Sequence, residues 1–437
     1  MSQEYTRGDK LAEGKTKAIF QAVGQEEGLV IVANKSEITA NDDPSLTRKF
    51  AKKAEYATAT TCRVFDLLKA CQVPVAYRQQ LSETEFLAAA SDMVPLEIVA
   101  RRLAVGSFLK RNPHLRTEDS KNPKRFHQLL VEFFLKTTGG EFGRFSMPNY
   151  AGQDKPIDDP LIVDPYAKQL VLAHPKAPDW ETDTVDGEFP VIDASLVGCS
   201  SIEEADKLVR WVSLVLEKAW ALLGVTWVDI KIEIDSLLRV SDVVDNDSWR
   251  LWKKGEQLDK QVFRDGGEGA LDEVERKYGL VARLAEQLTL PRQALVIWTG
   301  SEKDEVSEIP KWPGVEQKRI VASGHKSTNQ ALCQLERLFH EYPQGGVIVA
   351  KVGRSNGLGP MLAAHSPWPV ISIPADVKEH PENLWSSVAM PSYVPNLTAW
   401  PQGNAIGAVA QILAMTNPAV YAIDQMRREK LDGDYLA

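Results

Sequence analysis

Hydrophobic and polar positions alternate in short runs over the first part of the chain. Ala18–Phe20 and Leu29–Ala33 are apolar segments separated by a turn over Gly24–Gly28, which predicts a β-hairpin. A helical pattern follows from about Arg48 to Ala70. Between Arg111 and Cys199 the pattern dissolves. Pro and Gly are scattered through Thr137–Pro160 and an acidic stretch runs from Asp179 to Glu188, which predicts long surface loops. Order returns at Ser201–Leu223, a helical segment with an acidic first turn that stops at Gly224. Trp227–Ile234 then alternates strictly, with Val228, Ile230, Ile232 and Ile234 on one side and Asp229, Lys231 and Glu233 on the other. That pattern predicts a half-buried strand whose polar face is available for chemistry.

After the helical stretch Leu271–Leu288 and Pro291 the pattern changes to short apolar runs alternating with helix-like or loop segments, and a domain boundary is placed there, dividing the chain into residues 1–290 and 291–437. The runs Ala294–Trp298, Arg319–Ala322, Gly346–Ala350 and Pro369–Pro374 have the length and β-branched content of buried parallel strands, so the second domain is expected to be a doubly wound α/β sheet. A chain of 437 residues, 43% hydrophobic and 25% charged, supports two cored domains. The balance of 60 acidic against 51 basic residues leaves no electrostatic footprint for a polyanion, which argues against nucleic acid as the main partner while leaving local basic clusters able to bind small phosphates. Cys62, Cys71, Cys199 and Cys333 lie far apart without a C-x-x-C pair, arguing against structural zinc and a disulfide framework. The opening MSQEYTRGDK has no apolar signal core, and no apolar run approaches the roughly 20 residues of a membrane helix. The expectation is a cytoplasmic protein with no membrane partner.

Three clusters in the first domain carry candidate chemistry. In Glu13-Gly14-Lys15-Thr16-Lys17 a glycine allows close backbone approach to phosphate, and two lysines at alternate positions project to one side; solvated surface lysines are the plain alternative. Arg101-Arg102 and Gly106–Arg111 bring four cations, a hydroxyl and a glycine into eleven residues, a density suited to phosphate or carboxylate, or to a basic helix face. Glu233 is followed by Asp242, Asp245 and Asp247, carboxylates from adjacent strands able to share Mg2+, or acidic turn residues. Arg250, Lys260 and Arg264 add cations beside them, as a nucleotide and acidic substrates require.

In the second domain three strand ends carry polar or glycine-rich sequence: Gly300–Asp304, Ser323–Ser327 and Gly353–Pro360. Ligands of open parallel sheets sit beyond the carboxyl ends of the strands, so one shared site is predicted. A dinucleotide site is disfavoured because G-x-G-x-x-G does not follow the first strand. His325, beside Ser323 and Lys326, has the setting of a proton carrier near neutral pH; His340, His365 and His380 do not.

The ordered motifs EGKTK, ITA (Ile38–Ala40), GSFLKRNP (Gly106–Pro113), VEFFLK (Val131–Lys136), VDIKIE (Val228–Glu233), DNDSWRLW (Asp245–Trp252) and DKQ…R (Asp259–Arg264) resemble the SAICAR synthetase family of purine biosynthesis over about the first 290 residues. The resemblance implies an ATP-grasp-like fold that ligates L-aspartate to carboxyaminoimidazole ribonucleotide (CAIR), with ATP activating the carboxylate as an acyl phosphate. It implies ATP phosphate contacts at Lys15 and Lys17, a nucleotide-site lysine at Lys136, Mg2+ ligands at Glu233 and Asp242, nucleotide-substrate contacts at Arg101 and Ser107, and contacts to the acidic groups of CAIR or aspartate at Arg250, Lys260 and Arg264. The chain departs from the pattern at Ala51-Lys52-Lys53 and Ala57-Thr58, where Gly-Lys and Ser-Asn are usual, and in a longer segment between Lys136 and Asp159-Pro160.

G-S-x-x-D, S-x-H-K and GRSNGLGP, with WSS at Trp385–Ser387, resemble the class of aminoimidazole ribonucleotide (AIR) carboxylase that uses CO2 directly, over about residues 291–430. The order of the two halves resembles the bifunctional animal enzymes. For this half the resemblance implies no biotin, no metal and an octamer built around it. Ser301 and Asp304 are then expected to hold the ribose phosphate portion of AIR, and His325 to move protons at the carboxylated carbon. Lys326, Ser323 and the loop of Gly353, Arg354, Ser355, Asn356 and Gly357 are expected to surround CO2 and the nucleotide. Lys303, Gly324 and Val352 replace the usual serine, alanine and alanine. Lys303 either binds phosphate by charge or crowds the site. The alternative function is an active synthetase with a non-catalytic, assembly and nucleotide-binding second half.

Overall fold

The computed structural model describes residues 5–14, 16–39, 47–49, 52–178, 180–258, 270–304, 306–353 and 355–431. The described residues divide into two compact units, one ending at Leu288 and the other spanning Thr289–Leu431. No helix among the described residues is long and apolar enough to cross a membrane.

In the first unit the N-terminal hairpin forms as the pattern predicts: Lys17–Val23 pairs antiparallel with Leu29–Asn34. Thr6–Glu13, Glu85–Ala89 and Tyr77–Gln80 extend it into a five-stranded antiparallel sheet among the described residues. The helix after it runs over Lys53–Ala70, five residues later than expected, because Thr47–Lys49 pairs as a strand with Glu37–Thr39. Ala54, Ala57, Cys62, Phe65 and Leu68 form its buried face.

A second, larger sheet holds Arg125–Leu135, Leu96–Leu103, Thr226–Ile234 and Trp249–Lys253 as successive antiparallel neighbours. Two expectations need correction here. The segment read as irregular between Arg111 and Cys199 contains the eleven-residue strand Arg125–Leu135, whose Phe133, Phe134 and Leu135 are buried. The strand around Trp227–Ile234 is not half-buried. Paired on both edges, it buries even Asp229 and Glu233. Its apolar face packs against the helix Ile202–Leu222, which is capped by Ser201 and followed by Gly224 at φ +68°.

Arg102, on that same face of the neighbouring strand, is 1% exposed and meets Glu217 of the helix through two hydrogen bonds of 2.9 and 3.0 Å. A buried guanidinium deprived of its carboxylate is strongly destabilising. Glu217→Ala is therefore expected to lower the stability of the first unit by about 3–5 kcal/mol, read as an earlier first transition in denaturant.

The second unit is built on a parallel sheet with spatial order Val315–Val321, Gln293–Thr299, Gly346–Val352, Val370–Pro374, Asn396–Thr398. The strand expected to be buried at Arg319–Ala322 begins earlier, at Val315, and lies at the edge of the sheet with none of its residues to Val321 buried, because it is paired on one side only; Asn396–Thr398, the other edge strand, is too short and polar to register as a periodic run. Ala294, Val296 and Trp298 pack on one side with Ala331 and Leu335 of the helix Thr328–Glu341. Leu295, Ile297, Val347 and Val349 pack on the other with Ala405, Val409 and Leu413 of the helix Gln402–Leu413. Burial on both faces is why these strands read as unbroken apolar runs.

Candidate functional site

Alternation along Thr226–Ile234 places Asp229, Lys231 and Glu233 on the face of the larger sheet opposite the helix, and pairing with neighbouring strands converts them into a charged lattice. Asp229 stands across from Arg101 on one side and Arg250 on the other. Its Oδ2 accepts hydrogen bonds from Arg101 Nη1 at 2.6 Å and Arg250 Nη1 at 2.5 Å. Glu132 accepts from Arg101 Nε at 2.7 Å and pairs also with Arg111. Of the four cations in Arg101–Arg111, Arg101, Arg102 and Arg111 are thus buried ion-pair partners, while Lys110 is exposed. Gly106, at φ +62°, lies so close to Arg250 that a Cβ there would sit 2.7 Å from Nη2. Beyond it Ser107 opens the short helix Ser107–Arg111. A cavity of about 410 Å3 opens here, lined by Val105, Gly106, Arg116, Ser120, Arg250 and Trp252 among others.

Farther along the same strand, Lys231 Nζ donates to Glu97 at 2.6 Å and Lys136 Nζ to Glu233 at 2.5 Å. Glu233 pairs in register with Ser241, so Asp242 emerges beside it, at φ +68° and in ion contact with Lys17. Lys17 begins its strand after a turn closed by the Gly14 N–H on the Lys17 carbonyl at 2.9 Å. Lys35, a residue the sequence did not single out, clamps that turn through the Gly14 carbonyl at 2.9 Å and Glu13 at 2.6 Å. Lys17, Lys136, Glu233 and Asp242 all line one cavity of about 430 Å3, whose walls include Ile19, Val30, Val32, Phe65, Tyr77 and Phe86. An apolar chamber with two ammonium groups and two carboxylates suits a ligand having a flat apolar part, an anionic part and an associated divalent cation.

The electrostatics fit that description. Burial pulls the Lys17 ammonium down to about 8, against the opposing pull of Glu233. Burial also works against charge on Glu233, but Lys136 and Lys231 outweigh it and hold its carboxyl below the ordinary range. Asp159, which the sequence marked only as a family-like position, is pushed up to about 6 by burial and then by Glu97. Glu97 and Asp159 were invisible as neighbours of Lys231 because the register between strands, not sequence distance, brings them together.

The expected sharing of four carboxylates is corrected. Asp247 instead accepts from Tyr278 Oη at 2.7 Å and pairs with Lys53 at 3.2 Å, and Asp245 caps the local turn by accepting the Asp247 N–H at 2.8 Å. Among the described residues no group of three or more His, Cys, Asp or Glu is placed to hold a metal ion. Glu233 and Asp242 alone fit Mg2+, which characteristically takes one or two carboxylates and fills its remaining positions with phosphate and water. Lys15, Lys260, Arg264 and Arg354 lie outside the described residues.

In the second unit, Ser301, Ser323 and Gly353 follow three adjacent parallel strands, the strands before Ser323 and Gly353 flanking the one before Ser301 on its two edges. The Ser301 N–H donates to Asp304 Oδ2 at 2.9 Å, and Lys303 is exposed beside them. Ser323 Oγ accepts from the Lys326 N–H at 3.2 Å, leaving His325 and Lys326 exposed on the turn before the helix. Two glycines join this turn to the loop at 355–359. A Cβ on Gly357 would lie 2.1 Å from His325 Nε2, and one on Gly324 would lie 2.7 Å from Leu358 Cα. The glycine at 324 thus permits a backbone approach that an alanine would push apart. Asn356 is placed behind the loop, 5% exposed, with Nδ2 donating to Ser372 and Ser387 and Oδ1 accepting from the Gly359 N–H. It shapes the loop, while Ser355 and Gly357 border solvent.

Comparison with known proteins agrees with this two-part organisation. The family model for SAICAR synthetase matches residues 10–145 and 166–280, and that for AIR carboxylase matches residues 297–432. The probable multifunctional protein ADE2 of Caenorhabditis elegans is 33% identical over 428 residues, covering 94% of this chain and 91% of that protein. The human bifunctional phosphoribosylaminoimidazole carboxylase/phosphoribosylaminoimidazole succinocarboxamide synthetase is 31% identical, covering 95% and 92%. The crystal structure of phosphoribosylaminoimidazole-succinocarboxamide synthase from Ehrlichia chaffeensis is 21% identical with a TM-score of 0.44, covering 64% of this chain and 98% of that one. The chain belongs to the SAICAR synthetase family, in the bifunctional form that joins the synthetase to an AIR carboxylase.

Proposed function

We propose that the chain carries out two successive steps of purine synthesis: residues 291–437 carboxylate AIR with CO2 to CAIR, and residues 1–290 ligate L-aspartate to CAIR with ATP to give SAICAR. The observation that carries the reading is the convergence of Lys17, Lys136, Glu233 and Asp242 in one largely apolar cavity, within a chain that matches bifunctional relatives along its length. The first domain is read as ATP-grasp-like and the second as doubly wound.

In the ligation, the CAIR carboxylate attacks the terminal phosphoryl group of ATP, ADP leaves, and the aspartate amine attacks the acyl phosphate, releasing phosphate and a proton. Lys17 and Lys136, with Lys15, hold the phosphates and draw charge from the phosphoryl oxygens as it develops. Glu233 and Asp242 would hold Mg2+, which would supply further positive charge to those oxygens. Arg250, anchored by Asp229 and backed by Gly106, presents its guanidinium at the second cavity to receive an anionic group of CAIR or aspartate, and Arg101 keeps that arginine in place through the shared Asp229; Ser107, Lys260 and Arg264 are assigned to the same substrates.

In the carboxylation, the AIR ring carbon forms a bond to CO2 and then loses its hydrogen as a proton, which His325 accepts. Ser301 and Asp304 bind the ribose phosphate side, and Ser323, Lys326, Gly353, Arg354, Ser355 and Gly357 enclose CO2 and the ring. No cofactor is assigned to this half. The reading includes cytoplasmic residence, in keeping with four free thiols, and a homo-octamer assembled through the second domain. Exposed Trp385, Tyr393 and Trp400 near the edge strand Asn396–Thr398 support that assembly.

The test starts from AIR. Bicarbonate alone is expected to give CAIR, and ATP, Mg2+ and aspartate are expected to carry it on to SAICAR. SAICAR from supplied CAIR with no CAIR from AIR would leave the synthetase reading standing and make the second half an assembly module.

A further inference from the structure

A buried polar cluster lies between the apolar wall of the 430 Å3 cavity and the hairpin that carries Glu233 and Asp242, and no role assigned above uses it. Asp235, fully buried, follows directly on the Thr226–Ile234 strand. Its Oδ1 accepts the backbone N–H groups of Leu237 at 3.2 Å and Arg239 at 2.9 Å, and its Oδ2 accepts from Arg239 Nε at 2.8 Å. Those bonds close the turn. The same Oδ2 accepts a further bond from Ser91 Oγ at 3.0 Å, and Ser91 Oγ is 3.1 Å from Ser241 Oγ. Ser91 and Ser241 both line the cavity, and Ser241 is the cross-strand partner of Glu233 and the chain neighbour of Asp242.

We propose that Ser91 and Asp235 are positioning residues that fix the spacing between the apolar wall and the Glu233/Asp242 pair, so that the nucleoside part of the ligand and its phosphates with their cation are received together. Two facts argue that the Ser91 bond does more than hold the turn. The turn is already closed by Leu237 and Arg239 without it. Asp242, at φ +68°, occupies a conformation that a non-glycine residue keeps only where its surroundings over-determine it, and the Ser91–Asp235–Ser241 cluster sits directly before it. A hydrogen bond to a charged, buried acceptor is among the stronger geometric restraints available to a fold.

The inference rests on the nucleotide reading above, so binding of MgATP to the full chain is measured first for the unaltered protein and then for Ser91→Ala. The variant is expected to bind MgATP roughly threefold to tenfold more weakly, the range of one hydrogen bond. Its ligation kcat at saturating MgATP should stay within about twofold of the parent, and its carboxylase activity should be unchanged. Ser91→Thr, which keeps the hydroxyl, should restore affinity. Asp235→Ala removes the anchor as well and should weaken binding further; if it does not fold, Ser91→Ala decides. Equal MgATP affinity in Ser91→Ala and the parent overturns the positioning role, as does a loss that falls on kcat and is not restored by threonine. Absence of MgATP binding in the parent overturns the nucleotide reading itself, and this inference with it.

Discussion

Glu233→Gln is expected to lower ATP-dependent ligation of aspartate to CAIR by roughly 10²–10³-fold, the range of one well-aimed electrostatic contact to a transition state, while carboxylation of AIR by the same chain continues unchanged. The amide oxygen still offers a ligand to a divalent cation but not the charge, so the Mg2+ concentration giving half-maximal ligation should rise. The substitution also acts on the lysines. Glu233 favours the charged form of Lys17, whose ammonium burial has already drawn down to about 8. Without that carboxylate the lysine titrates lower, so the alkaline limb of the ligation profile should move toward neutral pH. Loss of rate with an unaltered Mg2+ titration and an unaltered alkaline limb would remove Glu233 from the site. Carboxylation serves as the folding control within the same chain.

The sequence displayed the strands that matter here, but not how they are used. Strict alternation over Trp227–Ile234 correctly separated Asp229, Lys231 and Glu233 from the apolar side. Its expectation of a half-buried strand failed, because a paired central strand and an exposed edge strand share the same alternation. The cation density at Arg101–Arg111 proved mainly structural for the same reason. Arg102 and Arg111 find their carboxylates on Glu217 and Glu132, more than a hundred and about twenty residues away in the chain, a distance no local pattern spans. The late start of the helix at Lys53 and the strand Arg125–Leu135 were hidden by neighbours. Thr47–Lys49 is short enough to merge into a helical pattern, and the Pro and Gly on both sides of Arg125–Leu135 made it read as loop.

Pairing also explains why the cavity could be named only in pieces from the sequence. Lys17, Lys136, Glu233 and Asp242 belong to separate segments, and each alone reads as surface charge. Antiparallel register places Glu233 beside Ser241, and the turn clamped by Lys35 places Lys17 against Asp242. In the second unit the parallel sheet was legible because its central strands, Gln293–Thr299, Gly346–Val352 and Val370–Pro374, are buried on both faces. The close packing of Gly324 and Gly357 was not, since a glycine marks permission for an approach without naming what approaches.

His325→Asn is expected to abolish most carboxylation of AIR, a fall of roughly 10²–10⁴-fold, while ligation of supplied CAIR is retained. Carboxylation leaves the attacked ring carbon with both its hydrogen and the new carboxylate, and aromaticity returns only when that proton departs. A neutral imidazole is the base suited to neutral pH, and His325 is the histidine at the carboxyl end of the parallel strands whose Nε2 edge lies against the 355–359 loop. The packing on Gly357 sets where that nitrogen stands: any side chain at 357 would displace the ring, and alanine at 324 would move the loop instead, so both glycines act on the same distance. Asparagine preserves a hydrogen-bonding group of similar reach but cannot take the proton. AIR should therefore still bind, giving a fall in kcat with little change in KM. Gly357→Ala, which keeps the base but displaces it, should lower the rate by a smaller factor than His325→Asn. Retention of most carboxylase activity in His325→Asn would assign the proton to another group of the site or to the substrate itself.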